Sequence, residues 1–238
     1  MQSIFLTAEW RKLIMANYPV DSAVLEPFLP AHTELDQWKG QTYLSLVGFM
    51  FHKVQIRGIS VPFHRSFPEV NLRFYVRYKE GNEWKRGVVF ISEIVPRPAI
   101  TWVANSLFGE HYCSRPMRNF VRTEEDLLQV GYQWKYKGRW NNLEVDTAAR
   151  ALPLQAGSAE EFITEHYWGY AAIGANRTGE YQVEHPRWDI HRVLNYQIDC
   201  DFESLCGGRF SGLDAQAPET VFLAEGSPVK VYSKRIIP

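Results

Sequence analysis

Cysteine is scarce in this chain, long uncharged runs are missing, and neither sign of charge prevails. Of 238 residues, three are cysteines: Cys113, Cys200 and Cys206. Three thiols cannot all pair within one chain, so free thiols in a reducing compartment are expected. The Cys200–Cys206 spacing does not match a zinc knuckle. The longest uncharged apolar runs are Tyr43–Phe51 and Pro98–Gly109. Both fall short of the ~20 residues that a membrane-spanning helix requires. Glu9, Arg11 and Lys12 interrupt the N-terminal stretch before an apolar secretory region can form, so a cytoplasmic location is expected. Lys and Arg total 26 against 27 Asp and Glu, for a net charge of -1. That balance argues against nucleic acid or an anionic membrane as the main partner. The sequence contains no G-x-S-x-G, P-loop, G-x-G-x-x-G or H-E-x-x-H pattern. It also has no fixed-period repeat and no low-complexity tract.

What is present is apolar and aromatic mass: 45% of residues are hydrophobic and 14% are Phe, Trp or Tyr. A chain of this length buries roughly 70–75% of its unfolded surface, enough for a large core without staples. The prevailing texture is short alternating runs cut by turn residues, a β-rich signature. Trp10–Asn17 reads as a first strand, followed by a short helix begun by Asp21 and Ser22 and closed by Pro30. Tyr43–Phe51 has the continuous apolar character of a strand buried on both faces. Val70–Tyr78 and Trp84–Val95 read as a hairpin around the KEGNE turn. Pro98–Phe108 reads as a helix, with Pro near its start and Gly109 just past its end. Gly131–Trp140 alternates, with Tyr132, Trp134 and Tyr136 on one face and Gln133, Lys135 and Lys137 on the other. Ser158 and Glu161 form a capping-box pattern that opens a helix over Ala159–Tyr167. Trp168–Ala175, Tyr181–Glu184, Thr220–Ala224 and Val229–Lys234 read as strands, with turns at Asn176–Gly179 and Glu225–Pro228. No linker divides the chain, so residues 1–238 are expected to form one β-dominated α+β domain with about three short helices.

Four segments make the chain recognisable. They are Trp10-Arg-Lys-Leu with Phe28-Leu-Pro30; Phe67-Pro-Glu69-Val-Asn71-Leu-Arg73-Phe-Tyr75-Val76; Gly87-Val-Val-Phe90; and Phe162-Ile-Thr-Glu165-His166-Tyr167 followed by His185-Pro-Arg-Trp188. In their order and spacing these segments resemble the YqjF-like family of the acetoacetate decarboxylase-like superfamily. The resemblance spans nearly the whole chain and implies a curved β-barrel or cone around a central cavity. His166 stands where the family pattern usually has Arg. Acetoacetate decarboxylases work through a lysine Schiff base, which the resemblance would place just after the second long hairpin strand. Ser92–Tyr112 contains no lysine; the nearest are Lys85 and Lys135. Arg97 cannot substitute, because a guanidinium stays protonated and is not an amine nucleophile.

The remaining chemistry lies in the alternation. Period two puts Glu69, Asn71, Arg73 and Tyr75 on one face of a strand. Facing a cavity, Arg73 would bind a carboxylate or phosphate through its fork. The candidate ligand-binding set is Glu69, Asn71, Arg73, Tyr75 and Arg97, and the candidate acid–base groups are Glu69, Glu93 and His111. His185, Arg187, Asp189 and His191 could share one strand face, yet no third close metal ligand is evident, so no metal is assigned. Lys135, Lys137 and Arg139 interleave with Trp134, Tyr136 and Trp140, but an amphipathic strand explains this without nucleic acid. No cofactor is expected. The expected partner is a small, partly apolar, anionic organic molecule, and homo-oligomerisation is left open. The rival readings are a lysine-independent acid–base enzyme and an interaction scaffold with a filled barrel.

Overall fold

Strands dominate the computed structural model, which describes residues 2–60, 62–108, 111–203, 210 and 212–237. The chain opens with β1 (Ile4–Val20), α1 (Ser22–Leu25), a 3-10 turn at Glu26–Phe28, β2 (Thr33–Leu35) and β3 (Thr42–Ile56). The hairpin β4 (Phe67–Glu80) and β5 (Glu83–Val95) follows, then α2 (Pro98–Phe108), β6 (Tyr112–Ser114) and β7 (Met117–Glu124). Next come β8 (Leu127–Tyr136), β9 (Arg139–Leu152), α3 (Ala159–Thr164), β10 (Trp168–Gly174) and β11 (Arg177–Glu184). The chain closes with β12 (Ile190–Asp199), β13 (Thr220–Tyr232) and β14 (Arg235–Ile237). Among the described residues, no helix is long and apolar enough to cross a membrane.

Seven strands pair in the order β11, β10, β5, β4, β3, β1, β13, and β13 pairs back onto β11. The result is a ring with two thin seams rather than the continuous barrel or cone expected. Between β10 and β5 only Trp168↔Gly87 and Gly169↔Val88 are in register, in parallel. Between β11 and β13 only Val183↔Val231 and Glu184↔Lys230 are paired. From β13 the sheet runs on through β12, β9, β8 and β7 as an arm. The arm packs on the outside of the ring. Tyr132 Oη donates to the Lys12 carbonyl at 2.8 Å. A Cβ on Gly48 of β3 would lie 2.7 Å from the Tyr132 ring, so only glycine admits that approach.

Two apolar clusters follow from strand alternation. Ile14, Leu46, Val70, Leu72, Phe74 and Val76 face outward and are covered by the arm through Tyr132, Trp134, Leu143 and Val145. Leu13, Met15, Val47, Phe49, Phe67 and Tyr75 face into the ring. β4 is therefore buried on both faces from Phe67 to Val76. β1 and β13 curve together around the ring. Lys12 sits at φ 55 in β1, and its partner strand carries Gly226 at φ 82. A Cβ on Gly226 would fall 2.0 Å from the Trp10 carbonyl oxygen. Residues 225–228 thus bend one continuous strand, where a turn between two strands was expected.

Several other boundaries move. The β8–β9 turn falls at Lys137 and Gly138, both at positive φ, as a two-residue hairpin turn requires. Arg139 therefore opens β9, and the expected strand over residues 131–140 ends at Tyr136. Helix α3 stops at Thr164, because Glu165 leaves helical geometry at φ -91 and ψ 48 and sends His166 into the ring. Its cap also differs in detail: Ser158 Oγ accepts from the Glu161 amide at 3.1 Å, but the Glu161 carboxylate accepts from Gly157, not Ser158. The β10–β11 turn lies at Ala175–Asn176, with Gly174 opposite Arg177, and residues 177–179, expected in the turn, belong to β11. Residues 185–189 are not strand, so His185 and His191 do not share one; β12 begins only at Ile190. Gly109 and Cys206 lie outside the described residues. Cys113 is a free thiol.

Candidate functional site

The inward face of β4 lines a cavity of about 210 Å³ inside the ring. Leu13, Val47, Phe49, Phe51, Phe67 and Phe90 supply most of its wall. Trp10 closes one side, edge-on to Phe49 at 5.5 Å, and Trp188 stacks on His185 at 4.1 Å. Trp188 Nε1 donates to Ser227 Oγ at 2.8 Å, which fixes the indole. Into this apolar wall three consecutive inward residues of β4 bring polar groups: Glu69, Asn71 and Arg73.

Glu69 is 2% exposed. Its Oε1 accepts from Asn71 Nδ2 at 3.0 Å and its Oε2 from Tyr112 Oη at 2.9 Å. Burial pushes its carboxyl up to about 7, against the opposing pull of those two donors and of the Arg73 charge. Arg73 is 8% exposed. Its guanidinium lies 5.8 Å from the Tyr75 ring centroid and donates weakly to Met15 Sδ at 3.9 Å. It forms no ion pair among the described residues, and its Nε has no partner among them. Asn71 Oδ1 is likewise buried without a partner. Glu93 sits opposite Asn71 on β5, also buried against the cavity.

His166 reaches the same cavity from the end of α3. Its Nε2 meets Asp36 Oδ2 at 3.1 Å, and Arg86 Nε donates to that oxygen at 2.6 Å. Burial alone would raise the Asp36 carboxyl, but the His166 and Arg86 bonds outweigh it and hold the group below its usual range. An ionised Asp36 accepts only, so Nε2 carries the imidazole proton and Nδ1 is a bare acceptor. Burial takes His166 down to about 4, assisted by the Arg86 and Arg73 charges against the pull of Asp36, so the ring is neutral near pH 7. His185 is lowered to about 4 as well, chiefly by burial.

The expected site residues divide. Glu69, Asn71, Arg73 and Glu93 lie together on the cavity wall. Tyr75 is buried one step beyond the cavity, its hydroxyl bonded to Ser45 Oγ at 2.6 Å and its ring against His166 at 4.7 Å. Arg97 is exposed and away from the cavity wall, because the chain leaves β5 there to start α2. His111 is exposed too; only its carbonyl points back, accepting from the Glu93 amide at 3.2 Å. The neighbouring Tyr112 takes the inward position instead. Asp36, as a partner of His166, gave no sequence signal, because 130 positions separate the two. Among the described residues, no lysine lines the cavity. Lys85 is bound by Glu80 and Glu180 and sits 4.1 Å over the Trp168 ring, and Lys135 is exposed. Tyr132 and Trp134 are fully buried under the arm, so they offer no face for nucleobases. Among the described residues, no group of three or more potential ligands could hold a metal.

A ring of strands around a polar-floored apolar cavity places the chain in the acetoacetate decarboxylase-like fold class. It superposes on the acetoacetate decarboxylase of Legionella pneumophila with a TM-score of 0.69 at 13% identity, covering 99% of this chain and 88% of that one. The enduracididine biosynthesis enzyme MppR, solved with pyruvate, matches with a TM-score of 0.67 at 12% identity, over 99% and 91% of the two chains. At such identities the likeness is one of fold. In sequence, residues 7–228 match the DUF2071 family, described as an uncharacterized conserved protein, and the chain belongs to that family. The uncharacterized protein YqjF of Bacillus subtilis is 31% identical over 160 residues. That alignment covers 67% of this chain and 62% of YqjF, so the chain spans about three fifths of the relative's length.

Proposed function

We propose that the protein binds a small, partly apolar organic anion within its ring of strands, with the ligand carboxylate on Arg73. One observation carries this reading: a buried guanidinium faces an apolar cavity with no carboxylate paired to it among the described residues. A charge left unpaired in such surroundings is costly, and an anionic ligand removes the cost. The volume of about 210 Å³ supports a binder over a filled scaffold. The pyruvate held by MppR supports a carboxylate as the anionic group. The cytoplasm, where Cys113 stays reduced, is the compartment this reading assumes.

The test is a thermal-shift and calorimetric screen of small carboxylic acids, each beside its neutral amide. Acids raise the melting temperature of the wild type and the amides do not. Arg73→Ala abolishes the difference, a loss of roughly 1.5–3 kcal/mol of charge-assisted bonding. Arg73→Lys restores only part of it, because an ammonium cannot reproduce the fork. No preference for acids in the wild type sinks the proposal.

A second reading rests on Glu69. A carboxyl raised to about 7 is poised to give or take a proton, so acid–base turnover of the bound acid without an imine is the enzymatic alternative. Neither reading uses a Schiff base at this cavity, because no lysine lines it among the described residues. Incubation with acetoacetate or pyruvate and borohydride is expected to leave the intact mass unchanged. A reduced adduct on Lys85 or Lys135 would show that a displaced amine does reach the ligand.

A further inference from the structure

Arg73 is not alone in facing the cavity without a partner. Two acceptors, Asn71 Oδ1 and His166 Nδ1, are buried beside it and bonded to nothing among the described residues. A buried polar group left unsatisfied is costly. With Trp10 Nε1, which is also buried without a partner on this wall among the described residues, these three groups form a pattern of two donors and two acceptors. The surroundings settle the sense of each. Asn71 turns its Nδ2 to the Glu69 carboxyl, which leaves the oxygen inward. His166 turns its Nε2–H to Asp36, and Arg86 and the Gln37 amide (3.0 Å to Oδ1) hold that carboxylate in place. The imidazole is clamped between the Tyr75 ring at 4.7 Å and the Phe162 ring at 5.1 Å, so it cannot swing to find another partner.

We propose that His166 Nδ1, with Asn71 Oδ1, is an acceptor subsite that selects ligands carrying a hydroxyl or N–H besides the carboxylate. The ligand class is therefore a hydroxy- or amino-substituted acid with an apolar body. This deepens the anion-binding reading and rests on it for the carboxylate on Arg73. Asp36 acts as a positioning residue, since it fixes the tautomer that leaves Nδ1 bare. An unsubstituted acid satisfies Arg73 but strands both acceptors. A site built around a hydrogen bond discriminates strongly against the analogue that lacks the donor, because its own buried groups then stay unpaired.

The matched probes are 3-phenyllactate and 3-phenylpropanoate, which differ by one hydroxyl. Calorimetry on the full chain is expected to give at least about tenfold tighter binding of phenyllactate. His166→Phe keeps an aromatic ring but removes the acceptor, so the ratio falls toward one while phenylpropanoate still binds. Asp36→Asn lets Nδ1 carry the proton and also erodes the preference, without removing the dependence on carboxylate. A readout independent of variant folding is the ¹⁵N spectrum of histidine-labelled wild type. The bare Nδ1 of His166 shifts on adding phenyllactate and stays in place with phenylpropanoate. Equal binding of the two acids by the wild type, or a His166→Phe variant that keeps the preference, overturns the subsite but leaves the anion site standing. Failure of both acids to bind the wild type overturns the anion site, and the subsite falls with it.

Discussion

Glu69→Gln is expected to gain stability over the wild type as the pH rises. The folded carboxyl sits at about 7, against 4.5 for the free group, with burial as the leading cause. Below the unfolded value both states hold the proton, and burial of a neutral carboxyl costs nothing extra. Between the two values the unfolded chain ionises while the folded chain keeps its proton, so stability falls with rising pH. Above about 7 the loss is complete. Glutamine does not titrate and escapes this slope. Urea unfolding at about pH 5 and about pH 8 should show the gap between variant and wild type moving by roughly 2–3 kcal/mol in favour of the variant. Any pH-independent cost of the substitution, such as altered packing of the amide, cancels between the two pH values. A gap that does not move, or that moves the other way, would mean that Arg73 rather than burial dominates the carboxyl.

The second large effect lies away from the cavity, at Glu180 of β11. This residue is fully buried. Its Oε1 accepts from Arg235 Nε at 2.6 Å and from Lys85 Nζ at 3.3 Å, and its Oε2 accepts from Tyr170 Oη at 3.1 Å. One carboxylate thus ties β5, β10, β11 and β14 together beside the thin β10–β5 seam. Removing one partner of a buried ion pair leaves the others uncompensated and costs about 3–5 kcal/mol. Arg235 is two-fifths exposed and Lys85 much less so, which places Glu180→Ala near about 3 kcal/mol, the low end of that range. The measurement is the urea midpoint with the slope unchanged. Glu180→Gln, which keeps an acceptor for Tyr170, should lose less. A shift within ~0.5 kcal/mol for Glu180→Ala would show that the seam is held by strand packing alone.

Much of the ring was legible because alternation survives wherever one face is apolar. β3, β4, β5 and the core of β1 announced themselves, as did α2 with its opening Pro98. β7 and most of β12 did not, because their side chains are largely exposed and carry no apolar rhythm. The long run of β13 looked like two strands because Gly226 bends it, and glycine marks a bend as readily as a turn. Glu69, Asn71, Arg73 and Glu93 could be singled out since period two aligned the first three and the hairpin set Glu93 beside them. Arg97 and His111 were close in sequence to that set, yet the chain turns outward at α2 and leaves both exposed.

The sequence by itself determined the β-rich class, the family, the polar face of β4 and the lack of a lysine where an imine would need one. Those are properties of local period and of residue identity, and no folding is required to read them. Which face of β4 turns inward was decided only by tertiary structure, since the pattern is the same for either curvature of the sheet. The pairing of His166 with Asp36 was likewise invisible along the chain. It exists because Glu165 breaks α3 and the ring brings β4 and the segment after β2 to the same wall. The charges follow the same logic: Arg73 is buried with no ion pair among the described residues, and the Glu69 carboxyl is raised to about 7, because ring closure removes water from a face that a flat sheet would have left wet.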